Sequence, residues 1–248
     1  MFRQIFGNIP DVTKNLLILN VLFFLIKGVL ESQGINASQV LGMHYPASQY
    51  FEPYQIVTHF FMHGDLFHIL FNMIGLVVIG SHLERVWGKK RFFIFYFVTA
   101  FGAMLLHNVV QAIEVYNAVG EFFPEVFIDY ADEGYPYAFS YDENGNRYVA
   151  AWMTKPGGIY FTPIVGASGA IYGLLMAFAL LFPNTEFRLL FPPIPVKAKW
   201  LALFLGGVAL YSGFARGGDS VAHFAHLGGM LFGFIMIKIW QRNQNTFY

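Results

Sequence analysis

Three groups of residues in this sequence could do chemistry: His59, His63, His68 and Asn72; Ser168; and His223 with His226. All of them stand in or beside strongly apolar stretches. Ionisable or strongly polar side chains in such surroundings usually face a protein interior or a water-filled cavity. The chain has no cysteine, so a thiolate nucleophile and a Cys-ligated metal are ruled out, and any nucleophile must be an oxygen or a lysine.

Ser168 lies in the run Gly166-Ala167-Ser168-Gly169-Ala170-Ile171-Tyr172-Gly173. Pro163 and Gly166 precede an apolar stretch, which predicts an extended approach and a helix beginning near Ser168. A serine there could simply cap the helix. It could equally be a nucleophile, since the free N–H groups and positive end of a helix stabilise an oxyanion formed beside them. Gly169 would leave room for a substrate carbonyl.

His226 is the candidate base. On a helix, Ala222, His226, Gly229 and Gly233 share one side, and Gly169 with Gly173 form a matching small face near Ser168. Two such faces let helix backbones approach closely, which could hold His226 near Ser168. The same spacing also serves plain packing. Asp219 is about 10 Å along the helix axis from His226, and Asp65 belongs to another stretch, so a Ser-His dyad without a carboxylate is expected. Tyr172, one turn after Ser168, could support the imidazole or fill the core. His68 and Asn72, four apart, could donate toward a developing negative charge; alternatively Asn72 bonds across to another helix.

The elements that must position these groups read as membrane helices. The chain of 248 residues is 56% hydrophobic, 19% aromatic and only 12% charged, against about 25% charged for an ordinary soluble domain. Net charge is zero and no Lys/Arg-rich stripe exists, which excludes nucleic acid as a partner. Six apolar stretches run roughly Leu16–Leu30, Leu66–Leu83, Phe92–Val110, Ser168–Phe182, Trp200–Phe214 and Val221–Trp240. Some are short for a bilayer of about 30 Å, with ends that can extend through flanking residues. No small-residue cleavage pattern closes the first stretch, so it is expected to be a retained span. The expected fold is therefore all-α, a polytopic six-helix membrane bundle, with residues 1–248 as one domain.

Six spans put both ends on one side. Arg3, Lys14, Arg85, Lys89, Lys90, Arg91, Arg188, Lys197, Lys199, Lys238 and Arg242 share that side, leaving Arg147, Lys155 and Arg216 opposite and Lys27 inside a span. The positive-inside rule then makes the termini cytoplasmic. Residues 113–160 form a long acidic and aromatic insertion outside, between the third and fourth spans.

With these residues in view, the chain resembles the rhomboid family of intramembrane serine proteases from Leu16 to Trp240. The resemblance rests on His63-Gly64 and His68-x-x-x-Asn72, then Leu83-Glu84-x-x-x-Gly88-x-x-Arg91-Phe92, then Gly166-x-Ser168-Gly169-x-x-Tyr172, then Ala225-His226-x-x-Gly229. It implies Ser168 as nucleophile and His226 as base, an oxyanion hole of His68, Asn72 and the Ser168 N–H, and Tyr172 stacked on His226. Supporting roles fall to Gly166, Gly169, His63, His223 and Gly229. It further implies an endopeptidase without cofactor or metal, acting through an acyl-enzyme on transmembrane protein substrates near the external side of a bilayer, in a bacterial inner membrane. Two departures stand out. Residues 31–57 lack the Trp-Arg pair of many members and carry His44, Tyr45, Tyr50, Phe51 and Tyr54 instead, which could seat an aromatic element at the bilayer interface. The 113–160 segment exceeds the connection in the better-known bacterial members.

Three rival readings stand beside this one. His63, His68, His223 and His226 could gather a zinc ion, although no His-Glu-x-x-His motif is present. A transporter would call for internal repeats, which the sequence does not display. A noncatalytic family member that binds membrane clients is the third. Substrate identity and oligomeric state are not written in the sequence.

Overall fold

The computed structural model describes residues 9–124, 127–130, 136–141, 145, 147–151, 158–159, 161–188, 194–215 and 221–243. Arg3, Lys155, Arg216 and Asp219 lie outside the described residues, as do Glu125, Asp132, Glu133, Asp142 and Glu143 of the acidic segment. In chain order the elements are α1 (Asp11–Ser32), two short helices α2 (Ala37–Leu41) and α3 (Gln55–Thr58), α4 (Leu66–Trp87), α5 (Lys89–Val119), and three strands β1 (Phe127–Tyr130), β2 (Pro136–Tyr141) and β3 (Arg147–Ala151). After these come α6 (Ser168–Leu181), a hairpin of β4 (Glu186–Arg188) and β5 (Pro195–Lys197), α7 (Ala198–Ala215) and α8 (Val221–Asn243).

Helices α1, α4, α5 and α8 are long and apolar enough to cross a membrane, and α6 and α7 are shorter apolar helices beside them. The molecule is an integral, multi-pass membrane protein with an all-α bundle. Phe67, Phe71, Leu203, Phe204, Tyr211 and Phe214 stand exposed on its flanks, where lipid rather than water covers them. Helix ends extend past the apolar runs. Asp11 begins α1 after Pro10, which suits a helix start because its missing N–H would be unpaired anyway. α5 continues through Val119, where Gly120 ends it in the left-handed conformation at φ 84°. Residues 113–119, expected in the external connection, are therefore helical. The antiparallel sheet β1-β2-β3 within that connection, and the β4-β5 hairpin, are small additions to the bundle that hydropathy did not foreshadow.

α6 is the central helix. Gly169, Ala170, Gly173, Leu174, Leu175, Ala177, Phe178 and Ala179 are buried around its circumference, as expected of a helix apolar on all sides. It packs against α4, α5, α7 and α8. Its contact with α8 is made by backbone: a Cβ placed on Gly229 would strike the Gly169 carbonyl, and one on Gly233 would lie 2.8 Å from the Gly173 carbonyl oxygen. α5 closes on the same pair, with Thr99 Cβ 2.5 Å from where a Gly173 side chain would begin and Ala103 Cα 2.9 Å from the corresponding point on Gly228.

Polar groups tie the bundle at both ends. The buried Glu84 carboxylate, on α4, accepts from Val12 N at 2.9 Å, Thr13 N at 2.7 Å and Thr13 Oγ1 at 2.8 Å, capping α1 from another helix. At the opposite end, Met43 and Ile164 exchange backbone hydrogen bonds of 3.0 and 2.9 Å, and Gly166 N donates to His59 O at 2.8 Å. These bonds fix the segment leading into Ser168. Tyr45 O–H donates to Phe122 O. His44 and Tyr45 are buried and Tyr54 is exposed, so part of the aromatic loop packs inward rather than lying at the interface. Burial raises the Tyr45 hydroxyl pKa to about 12.

Gly229→Ala should force α6 and α8 apart and lower the thermal midpoint in detergent by an overpacking cost of about 1–3 kcal/mol. Gly207→Ala, on open space in α7, should leave the midpoint unchanged or raised.

Candidate active site

Ser168 is the first residue of α6, one past the cap position, which Ala167 fills in a helical conformation without a side-chain capping bond. The capping alternative therefore does not describe it. Its Oγ lies 2.8 Å from His226 Nε2 on α8, across 58 residues of sequence. The Tyr172 ring stacks on the His226 imidazole, with centroids 4.1 Å apart and planes 2° from parallel. Among the described residues, none of the ion pairs involves His226. His223, one turn earlier on α8, has its ring centroid 6.2 Å from that of His226 in an edge-on arrangement.

The second wall comes from the start of α4. Asp65 caps this helix by accepting from His68 N at 2.9 Å, and that bond holds its carboxyl below the ordinary carboxylate range. Gly64 N donates to His68 Nδ1 at 3.3 Å. A ring that accepts at Nδ1 carries its proton on Nε2. Nε2 faces the approach to Ser168, because a Cβ on Gly166 would stand 2.8 Å from it and 3.7 Å from Ser168 Oγ. Gly166 also has φ +123°, so a side chain is excluded there by conformation as well as by space. Asn72 Nδ2 donates to His68 O at 2.9 Å. It thus bonds within its own helix, not across to another, and keeps a second hydrogen toward the groove it lines.

His63 is fully buried, with its ring 5.0 Å from that of His68 in an edge-on contact and Nδ1 3.2 Å from Phe61 O. Burial, with the neighbouring His68, pushes its pKa down to about 4, and burial does the same to His59. Both rings are neutral at physiological pH. Among the described residues, no three His, Asp or Glu side chains converge as metal ligands. A Cβ on Gly169 would strike the Ala103 methyl group, so its small size serves packing against α5, and Gly169 also lines the cavity beside Ser168.

Two cavities meet at Ser168. One of about 230 Å³ lies behind it, bounded by His59, Met104, Thr162, Val165 and Ala225. The other, about 940 Å³, is a groove between α4 and α7 lined by Phe71, Ile74, Val78, Leu201 and Leu205. Ser168, His226, His68 and Asn72 all border this groove.

Lys27 is a contributor that sequence spacing did not mark. It sits in α1, 9% exposed, and its Nζ donates to Gly64 O at 2.5 Å.

A rhomboid domain model matches residues 50–121 and 139–243, the greater part of the chain. RHOMBOID-like protein 12, mitochondrial, of Arabidopsis thaliana is 27% identical over 70% of this chain and 42% of its own length. Rhomboid protease AarA of Providencia stuartii is 25% identical over 69% of this chain and 50% of its own, and Rhomboid-like protein 19 of Arabidopsis thaliana is 24% identical over 98% and 65%. The chain thus spans less than two thirds of the length of these curated relatives. The domain match and the six-helix bundle together make this chain a member of the rhomboid family.

Proposed function

We propose that the protein is an intramembrane serine endopeptidase in which Ser168 is the nucleophile and His226 the general base and acid. The observation that carries this reading is the 2.8 Å separation of Ser168 Oγ and His226 Nε2. With the imidazole neutral, the serine O–H donates to Nε2. Oγ attacks the scissile carbonyl carbon, and its proton passes to Nε2. The C–N bond then breaks as His226 returns that proton to the leaving amine. Water attacks the acyl ester and gives a proton to His226, and the ester C–O bond breaks as His226 returns that proton to Oγ, releasing the acid and restoring Ser168. A cavity of about 230 Å³ beside Ser168 has room for several waters at about 30 Å³ each.

Among the described residues no carboxylate pairs with the base, and the parallel Tyr172 ring supports its plane. The oxyanion would meet the Nε2–H of His68, the second Asn72 hydrogen and the Ser168 N–H, which lies in the first helical turn where amides have no intrahelical partner. The α4–α7 groove favours a substrate arriving sideways from the bilayer as a transmembrane helix. Unwound backbone in lipid lacks hydrogen-bond partners, so cleavage belongs where polar groups and water meet the apolar groove. The distribution of basic residues supports a topology with both termini in the cytoplasm and the site toward the external side.

Reconstituted in liposomes with a susceptible transmembrane substrate, Ser168→Ala should lose cleavage to background while keeping its fold, and wild-type cleavage should survive exhaustive metal chelation. Equal cleavage by both proteins would remove Ser168 from the role. No cleavage by either, with no labelling of wild type by a serine-directed phosphonate, would favour a noncatalytic client binder.

The same phosphonate separates the two histidines. It should label wild type at Ser168 with a rate that falls on acidification, because a protonated imidazole cannot accept. His226→Ala should be almost unlabelled and His223→Ala substantially labelled, with circular dichroism and melting to show folding. The reverse pattern would move the base to His223.

Asn72→Ala should depress turnover by the roughly 2.7–4 kcal/mol typical of a lost oxyanion donor, with substrate binding little changed. Unchanged turnover with weaker binding would assign Asn72 to docking instead.

A further inference from the structure

An intramembrane lysine demands an explanation, since a desolvated ammonium is costly unless it is paired. Lys27 meets Gly64 O at 2.5 Å, Glu31 Oε1 at 3.4 Å and the Phe24 ring at 5.8 Å, and its charge also acts on the Asp65 carboxylate. Glu31 and Phe24 are on its own helix. The bond to Gly64 is the one that reaches across 37 residues to another part of the molecule.

Gly64 is the residue whose N–H donates to His68 Nδ1. Its carbonyl is therefore anchored by α1 while its amide sets the state of the imidazole. No side chain covers Gly64 itself: it is exposed, and a Cβ there would meet only His68 Nδ1, at an ordinary 3.7 Å. Should Gly64 rotate, its N–H leaves Nδ1 and the ring can shift its proton to that nitrogen. Nε2 would then be an acceptor facing Ser168, where a negative charge would be repelled. Which ring nitrogen is protonated depends on the hydrogen bond made by the other.

We infer that Lys27 is a positioning residue which, by holding the Gly64 carbonyl, keeps the proton of His68 on Nε2 and so keeps His68 a donor toward the reacting centre. Its importance for turnover rests on the protease reading; its control of the His68 tautomer does not.

The test uses the full chain in nanodiscs, labelled with nitrogen-15 at histidine, with His68 assigned by its loss in His68→Ala. Wild type should show the Nε2–H form of His68. Lys27→Met should move it toward the Nδ1–H form and lower turnover by roughly ten- to a hundredfold, the loss expected when a reacting group is misplaced, with KM nearly unchanged. Lys27→Arg should retain both properties. In a His68→Ala background, Lys27→Met should have little further effect, an interaction that a general loss of stability would not produce. If Lys27→Met does not fold, Lys27→Gln, a neutral donor on a shorter stem, takes its place. An Nδ1–H tautomer in wild type, or an unchanged tautomer in a folded Lys27→Met or Lys27→Gln, would overturn the inference. A wild type that neither cleaves nor labels would sink the protease reading, while the nitrogen spectra still decide the role of Lys27.

Discussion

Where α6 and α8 cross, the carbonyl of Gly169 occupies the space that any side chain at residue 229 would need. In lipid, helices gain nothing by hiding apolar surface from one another, so association relies on close fit. Here the fit is closest one residue after Ser168 and three after His226. The two side chains meet because the backbones beneath them can touch. A methyl group at that point would displace one helix from the other by more than the tolerance of a hydrogen bond.

The remaining polar groups follow a different pattern. Asn20 donates to Leu16 O, Thr99 to Phe95 O and Asn72 to His68 O, each within its own helix. These bonds satisfy a donor locally and do not depend on how helices are arranged. Outside the short helices, where Gln39, Gln55 and Thr58 also bond other segments, Glu84 and Lys27 reach from one helix to the backbone of another segment. One fastens the start of α1 and the other the turn before α4. Together they make α1 a brace along the wall of the site without contributing any group to the chemistry proposed there.

Much of this arrangement was legible in the residues. Hydropathy located six helices because lipid-facing side chains must be apolar all along a span. The spacing of Gly169, Gly173, Gly229 and Gly233 anticipated their contact, since a face of small residues has few uses besides close approach, and the pairing of Ser168 with His226 and Tyr172 followed from that contact. The trans cap by Glu84 was not visible, because a carboxylate 71 residues from its amide partner leaves no local pattern. Lys27 was seen only as a charge in a span. The helical continuation through Val119 was obscured by Glu114 and Asn117, polar residues that end a hydrophobic run without ending a helix. The strands of the long connection, outside the apolar periodicity, had no signal of comparable strength. The contact of Gly169 with Ala103 left no mark in the sequence, because one sequence cannot say whether a missing side chain makes room for a ligand or for another helix.

The Glu84 cap also bears on how the chain can be assembled. Residues 12 and 13 leave the ribosome long before residue 84, so for that interval the first amides of α1 have no protein acceptor and must stay in contact with water at the membrane surface. The first helix can enter the bilayer early but cannot settle until the C-terminal end of α4 arrives beside it. A newly inserted α1, with Lys27 also awaiting its carbonyl, is thus a provisional segment whose depth and rotation are decided by a later part of the chain.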